Sequence, residues 1–157
     1  MRPVLAMLVA VTTFLTVLSP AAASPSHTAA TDKALIETMV FRVSLSEFVA
    51  AANVKADIWF DWSTDYCSAP LVGNTGISFN FTDACRRHDF GYRNLQLLDR
   101  RYGTPGSSWN HASRFKVDQQ LRTDARNHCA RRAIALRPSC FIWAQTFYLV
   151  VRIGGGP

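Results

Sequence analysis

The 157-residue chain has few cysteines, few histidines and few strand-forming runs, and each shortage narrows what it can be. No two of its four cysteines stand at the C-x₂₋₄-C spacing of a zinc site, which disfavours a zinc-held fold. The His88-Asp89 dipeptide suggests an HD-type metal phosphohydrolase, but such a site needs further inward histidines. His27 lies in the leader, His111 in a loop and only His128 near a helix, so that ligand set is incomplete. The apolar run at residues 4–18 is short for a membrane-spanning helix. No internal repeat or low-complexity tract is visible beyond it. Strand signals are few and short, so the expected fold class is all-α.

What is present begins with a leader. Arg2, the uncharged apolar run and Ala21-Ala22-Ala23 have the form of an export signal, read as residues 1–23 with cleavage before Ser24. Residues 24–31 are small and polar and read as a loose lead-in. About 130 residues then remain, which suits one compact domain: residues 24–55 as N-terminal leader and helices, and residues 56–157 as the main region, packed with residues 32–55. The whole chain carries +6, and loss of Arg2 lowers this by one. A basic exported chain suits anionic surfaces such as lipid headgroups, cell-wall polymers or nucleic acid, and charge alone does not choose among them. Export also makes disulfides the default. Cys67, Cys85, Cys129 and Cys140 allow three pairings, of which Cys67–Cys85 with Cys129–Cys140 closes the two shortest loops.

Helical periodicity organises the rest. A first helix is expected over residues 31–43. Ser44-Leu45-Ser46-Glu47 has the form of a capping box, opening a second helix through Ala52. Residues 57–67 mix aromatics with acids and run into Pro70, Gly73, Asn74 and Gly76, so a loop is expected there. A long helix is expected from residues 80–83 to Asp99. Ala84, Cys85, His88, Tyr92, Leu95 and Leu98 share one of its faces, with Asp89 at the edge and Arg86, Arg87, Arg93 and Asn94 on the other side. A second long helix, residues 114–131, has the stripe Val117, Leu121, Ala125 and Cys129, with Asp118 inside it. The two are expected to pack antiparallel. Arg137-Pro138-Ser139 is read as ending one element, residues 140–152 as a last buried or surface-docking helix, and Gly154 to Gly156 as a frayed tail.

An inward carboxylate is costly unless paired, and His88 on the facing stripe is the obvious partner for Asp118. A lone histidine on an apolar face is ordinarily a core residue, and a lone aspartate a solvent-facing one. Together on facing stripes they have the form of a general base and the group that fixes its tautomer, with water as nucleophile. Asp65 and Asp89 are hard oxygen ligands suited to calcium, and a Cys67–Cys85 bridge would draw them together and could expose the Tyr66 carbonyl. No EF-hand pattern is present, and from spacing alone a plain structural disulfide with two solvated acids fits equally well.

The segments Asp61-Trp62-Ser63-Thr64-Asp65-Tyr66-Cys67, Cys85-Arg86-Arg87-His88-Asp89-Phe90-Gly91-Tyr92-Arg93-Asn94 and Val117-Asp118 resemble the secreted phospholipase A2 enzymes of bacteria and fungi. The resemblance runs over residues 61–151 and is most specific in the two cysteine-containing runs. It implies His88 as general base and Asp118 as its partner. It implies calcium held by Asp65, the backbone carbonyl of Tyr66 and Asp89, and the bridges Cys67–Cys85 and Cys129–Cys140. Tyr92, one turn past His88, would line the substrate cleft or be a core tyrosine with its hydroxyl satisfied. The glycine-rich calcium loop and the paired cysteines before His-Asp found in animal and venom enzymes are lacking, so those subfamilies are not the match. Residues 97–113 are polar and particular to this chain, and residues 24–55 carry little of the resemblance.

The implied reaction is calcium-dependent hydrolysis of the sn-2 ester of glycerophospholipids by a water activated by His88, releasing a fatty acid and a lysophospholipid. The implied setting is extracellular, as a monomer in shallow, reversible contact with a phospholipid membrane or micelle and without nucleic acid. Trp59, Trp62, Trp109, Trp143, Phe147 and Tyr148, with Arg100 and Arg101, would serve that contact where exposed. The alternative is a non-catalytic secreted protein of the same fold that binds calcium or lipid. The intact His88, Asp89 and Asp118 argue against it. Asn80-Phe81-Thr82 is a glycosylation sequon, but at a helix start Asn and Thr are ordinary caps.

Overall fold

The computed structural model describes residues 27–67 and 73–154. The export signal, the Pro70 turn and most of the glycine tail lie outside the described residues. Among the described residues there are five α-helices: α1 (Ala29–Phe41), α2 (Leu45–Val54), α3 (Thr82–Tyr102), α4 (His111–Ala130) and α5 (Arg137–Gly154), with a 3₁₀ turn, Ile134–Leu136, ahead of α5. The all-α expectation holds: among the described residues the only extended pairing is an isolated bridge between Thr75 and Asn80.

The helix starts are chemically explicit. Ser44 accepts from the Glu47 N–H while Glu47 returns a bond to the Ser44 N–H at 2.7 Å, the reciprocal box that the sequence announces. Thr28 and Asn110 cap α1 and α4 in the same way. The α1 cap places its start at Ala29, within the stretch expected to be loose. Arg137-Pro138 opens α5 instead of closing an element. Proline in a first helical turn loses only a donor that has no intrahelical partner there.

α3 is the centre, packed against α1, α2 and α4. Its partners along α4 descend as α3 ascends: Arg87 meets Asp124, His88 meets Asp118, and Tyr92 meets Arg114. The two central helices are therefore antiparallel, as expected. At their crossing a methyl on Gly91 would stand 2.9 Å from Val117 Cγ1 and 3.3 Å from Val40 Cγ2, so α1, α3 and α4 converge where only glycine fits.

Because α3 is covered on several sides, the expected outward face is wrong at two residues. Arg87 is buried and donates twice to Asp124 and once to the Val43 carbonyl. Asn94 is fully buried and grips the loop before α3 in both directions: the Asp61 N–H donates to Asn94 Oδ1, and Asn94 Nδ2 donates to the Asp61 carbonyl, each at 2.8 Å. A two-faced helical pattern treats polar residues as solvent-facing; here they are satisfied inside instead.

The disulfides are Cys67–Cys85 and Cys129–Cys140, with Cα separations of 5.3 and 5.5 Å. The second ties α4 to α5, whose Cys140, Ala144 and Phe147 share one buried stripe. Ile142, Leu149, Val150 and Ile153 of α5 are exposed. The segment Ile134–Gly154 is long and apolar enough to cross a membrane by length and composition.

Candidate active site

The site is built where α3, α4, the end of α5 and the loop at residues 57–67 meet. His88 is buried to 8 % exposure, and its Nε2 lies 2.8 Å from Asp118 Oδ1. Asp118 is wholly buried, and three side chains meet its two oxygens. Oδ1 takes His88 and the Tyr92 hydroxyl, the latter at 2.6 Å; Oδ2 takes the Arg152 guanidinium at 2.7 Å. Arg114, one turn before Asp118, has its Nε 3.8 Å from Oδ2. Burial pushes the Asp118 carboxyl up, but the hydrogen bonds from His88, Tyr92 and Arg152 outweigh it and hold the group below its ordinary range. Burial, reinforced by the bond to Asp118, pushes the Tyr92 hydroxyl far up, so it stays a donor.

The next residue along α3 faces the loop. Asp89 Oδ2 accepts from the Thr64 hydroxyl at 2.5 Å and from the N–H groups of Asp65 and Tyr66 at 3.2 and 3.1 Å. Tyr66 sits in the left-handed region at φ 60°, a local turn that brings these successive N–H groups onto one carboxylate. The Cys67–Cys85 bridge anchors the loop one turn before Asp89. Burial pushes the Asp89 carboxyl up; the Thr64 bond opposes this, and the nearby Asp65 charge adds to the rise. Asp65 is exposed and paired with Arg93 at 2.5 Å.

Two like charges thus stand near one another, where the loop turns its N–H groups and the Thr64 hydroxyl to Asp89. A pair of carboxylates is the kind of ligand a hard divalent cation takes, and such an ion would relieve their repulsion. Among the described residues no three His, Cys, Asp or Glu side chains gather as a metal cluster, so the fit rests on the two carboxylates.

The structure therefore brings His88, Asp118 and Tyr92 into one hydrogen-bonded group and Asp65, Tyr66 and Asp89 into another, on consecutive residues of α3. Sequence reasoning missed Arg114 and Arg152. Arg114 was open to detection as the i−4 neighbour of Asp118. Arg152 was not, because nothing local relates the end of α5 to α4.

With this geometry in hand, similarity to known proteins is informative. Residues 36–155 match the model of the family described as prokaryotic phospholipase A2. A "Secretory phospholipase A2" of Arthroderma benhamiae is 35 % identical over 114 residues, covering 72 % of this chain and 70 % of that protein. Another of the same name, from Beauveria bassiana, is 31 % identical over 122 residues, covering 78 % of this chain and 58 % of that protein. The fold is a small disulfide-bonded helical domain, and the family match makes it that of an ester hydrolase. The chain belongs to the prokaryotic phospholipase A2 family, and its activity is phospholipase A2 hydrolysis of lipid.

Proposed function

We propose that this protein cleaves the sn-2 ester of glycerophospholipids with calcium and a His88-activated water, releasing a fatty acid and a lysophospholipid. The observation that carries the reading is the 2.8 Å bond between His88 Nε2 and Asp118 Oδ1, on the residue beside Asp89. With Nε2 engaged, Nδ1 is the ring atom left to take a proton from water. Asp118 fixes that tautomer and stabilises the imidazolium that follows. The proton on Nδ1 then passes to the departing alkoxide, which returns His88 to its neutral form. Tyr92 keeps its proton and holds Asp118 Oδ1 in line with the ring.

Asp65, the Tyr66 carbonyl and Asp89 are the groups that would hold calcium, with Arg93 releasing Asp65 to it. When bound, the ion supplies Lewis-acid polarisation of the ester carbonyl and charge for the phosphate. Contact with lipid aggregates is peripheral, and the exposed apolar side chains of α5 support this. Secretion is supported by the signal-like residues 1–23 and by the name shared by the two fungal relatives.

The test is fatty-acid release from vesicles labelled in the sn-2 chain, with calcium and then with excess chelator. Calcium-dependent release of the label is the expected result. A folded protein that releases nothing in calcium would instead be a non-catalytic lipid-binding member of the family.

A further inference from the structure

Asp118 must be an anion while His88 is neutral, because only the neutral imidazole can accept a proton. In that resting state neither His88 nor Tyr92 brings a formal charge to a carboxylate with no exposed surface. An uncompensated buried anion is strongly unfavourable. Two guanidinium groups compensate it on Oδ2: Arg114 stands off at 3.8 Å, and the last turn of α5 brings Arg152 into direct contact. Arg152 donates to Oδ2 at 2.7 Å, on the oxygen that His88 does not use. Its guanidinium lies 5.3 Å from the centre of the Phe115 ring, on α4 one turn before Asp118.

Arg114 has a second task beside its 3.8 Å approach to Oδ2. Its NH2 donates to the carbonyls of Val151 and Arg152 at 2.9 and 2.6 Å, and its Nε donates to the Tyr92 hydroxyl at 3.3 Å. It thereby satisfies backbone acceptors at the end of α5, which have no partner within the helix, and holds the turn that carries Arg152.

We propose that Arg152 is a positioning residue for the hydrolysis: it keeps Asp118 ionised and pinned through Oδ2, so that Oδ1 stays on His88 Nε2. A carboxylate turns readily about its last side-chain bond. With different donors on its two oxygens, rotation breaks a charge-assisted bond at each end. The C-terminal helix thereby takes part in the chemistry without touching substrate. This inference rests on the proposed roles of His88 and Asp118.

The experiment measures kcat and KM on a dispersed short-chain phospholipid, with melting temperature alongside. It uses Arg152→Met, Arg152→Lys, His88→Asn, Asp118→Asn and the double variant Asp118→Asn/Arg152→Met. Arg152→Met is expected to lower kcat about tenfold, the scale of one lost charge-assisted bond, with KM little changed. Arg152→Lys should recover most of that loss. In the Asp118→Asn background Arg152→Met should add nothing, since a neutral amide needs no counter-charge.

An unchanged kcat in folded Arg152→Met, alongside an inactive His88→Asn, overturns the inference and leaves the proposed general base standing. Full activity in His88→Asn overturns both. If Arg152→Met does not fold, the two Asp118→Asn proteins carry the test: equal kcat supports the inference, and a further drop overturns it.

Discussion

Asp118 and Asp32 are both buried, and each is met by a histidine, a tyrosine and an arginine. Around Asp32, His27 Nδ1 stands at 2.7 Å, the Tyr102 hydroxyl at 2.8 Å, Trp59 Nε1 at 2.7 Å and Arg101 at 3.8 Å. The partner lists are nearly the same, yet only the Asp118 group has the form of a reactive site. The difference lies in what the second nitrogen of each histidine meets. His27 Nε2 faces Asp57 at 3.8 Å, and its ring lies stacked on Trp59 at 4.4 Å. Both of its nitrogens therefore look at acids, and the residue fastens the start of α1 to the loop that follows α2. His88 gives one nitrogen to Asp118 and stands beside Asp89, which faces the loop of Asp65 and Tyr66. A histidine–aspartate pair becomes a catalyst through its surroundings, since the pair itself is also a common structural device.

This contrast predicts the largest effect for the two histidines. His88→Asn should lower turnover about a thousandfold, within the range that general-base catalysis contributes, with calcium binding and melting temperature nearly unchanged. His27→Asn should do the reverse, with turnover kept and melting temperature lowered. Fatty-acid release and calorimetry on both proteins decide it, and wild-type turnover in His88→Asn would erase the distinction.

The proposed calcium corner sharpens the contrast next. Asp89→Asn should lose calcium affinity by titration calorimetry and activity in parallel, and excess chelator should reproduce the loss in the native protein. Asp57→Asn, the corresponding acid beside His27, should leave calcium affinity where it was.

A smaller effect is expected from the aspartates. Asp32→Asn should cost about 2 kcal/mol of stability, the scale of hydrogen bonds to a charged group, with kcat retained. Asp118→Asn should lower kcat as well as stability. Denaturant unfolding and steady-state kinetics separate the two.

The smallest effect is a pH dependence common to both groups. Burial raises both carboxyls, but His27, Trp59 and Tyr102 outweigh it at Asp32, and His88, Tyr92 and Arg152 do so at Asp118. Both groups therefore lie below their ordinary value of 3.8 in the folded protein. A carboxyl with a depressed folded value adds stability that is fully present above 3.8 and is lost as pH falls through the folded value. Asp124 lies on the other side. Burial pushes it up against the opposing Arg87 bond, so stability rises as pH falls through its folded value, above 3.8. Melting temperature followed from pH 6 to pH 2 should therefore drop steeply only below 3.8. Asp32→Asn should flatten that limb, and an equally steep fall in that variant would remove Asp32 from the account.

Much of this arrangement can be read along the chain. The Ser44–Glu47 cap, the long central helices and the inward His88 and Asp118 all follow from local periodicity, which a helix enforces at fixed 3.6-residue spacing. The start of α5 at Arg137-Pro138 was misread because proline marks either the end of one element or the first turn of the next. Arg87 and Asn94 run against the pattern because polarity on a helix face usually means solvent, and only the packing of α4 and of the turns at Val43 and Asp61 on α3 gives both buried partners. The second group, around Asp32, gave no signal at all. It joins His27, Trp59 and Tyr102 across 75 residues, and no local pattern encodes such a meeting.

By itself, the sequence determined the helical class, the helix faces and the run around His88 and Asp89, because these depend on neighbours three or four residues apart. The resemblance of the cysteine-containing runs to secreted phospholipases A2 is likewise a property of the sequence alone. Tertiary structure decided which arginines answer the charge on Asp118, which aspartate each histidine meets, and why a methyl at position 91 would collide with Val117. Those outcomes turn on distances of about 3 Å between residues far apart in the chain, where charge-assisted bonds and van der Waals contact are made or lost. Such distances are set only when α1, α3, α4 and α5 close on one another.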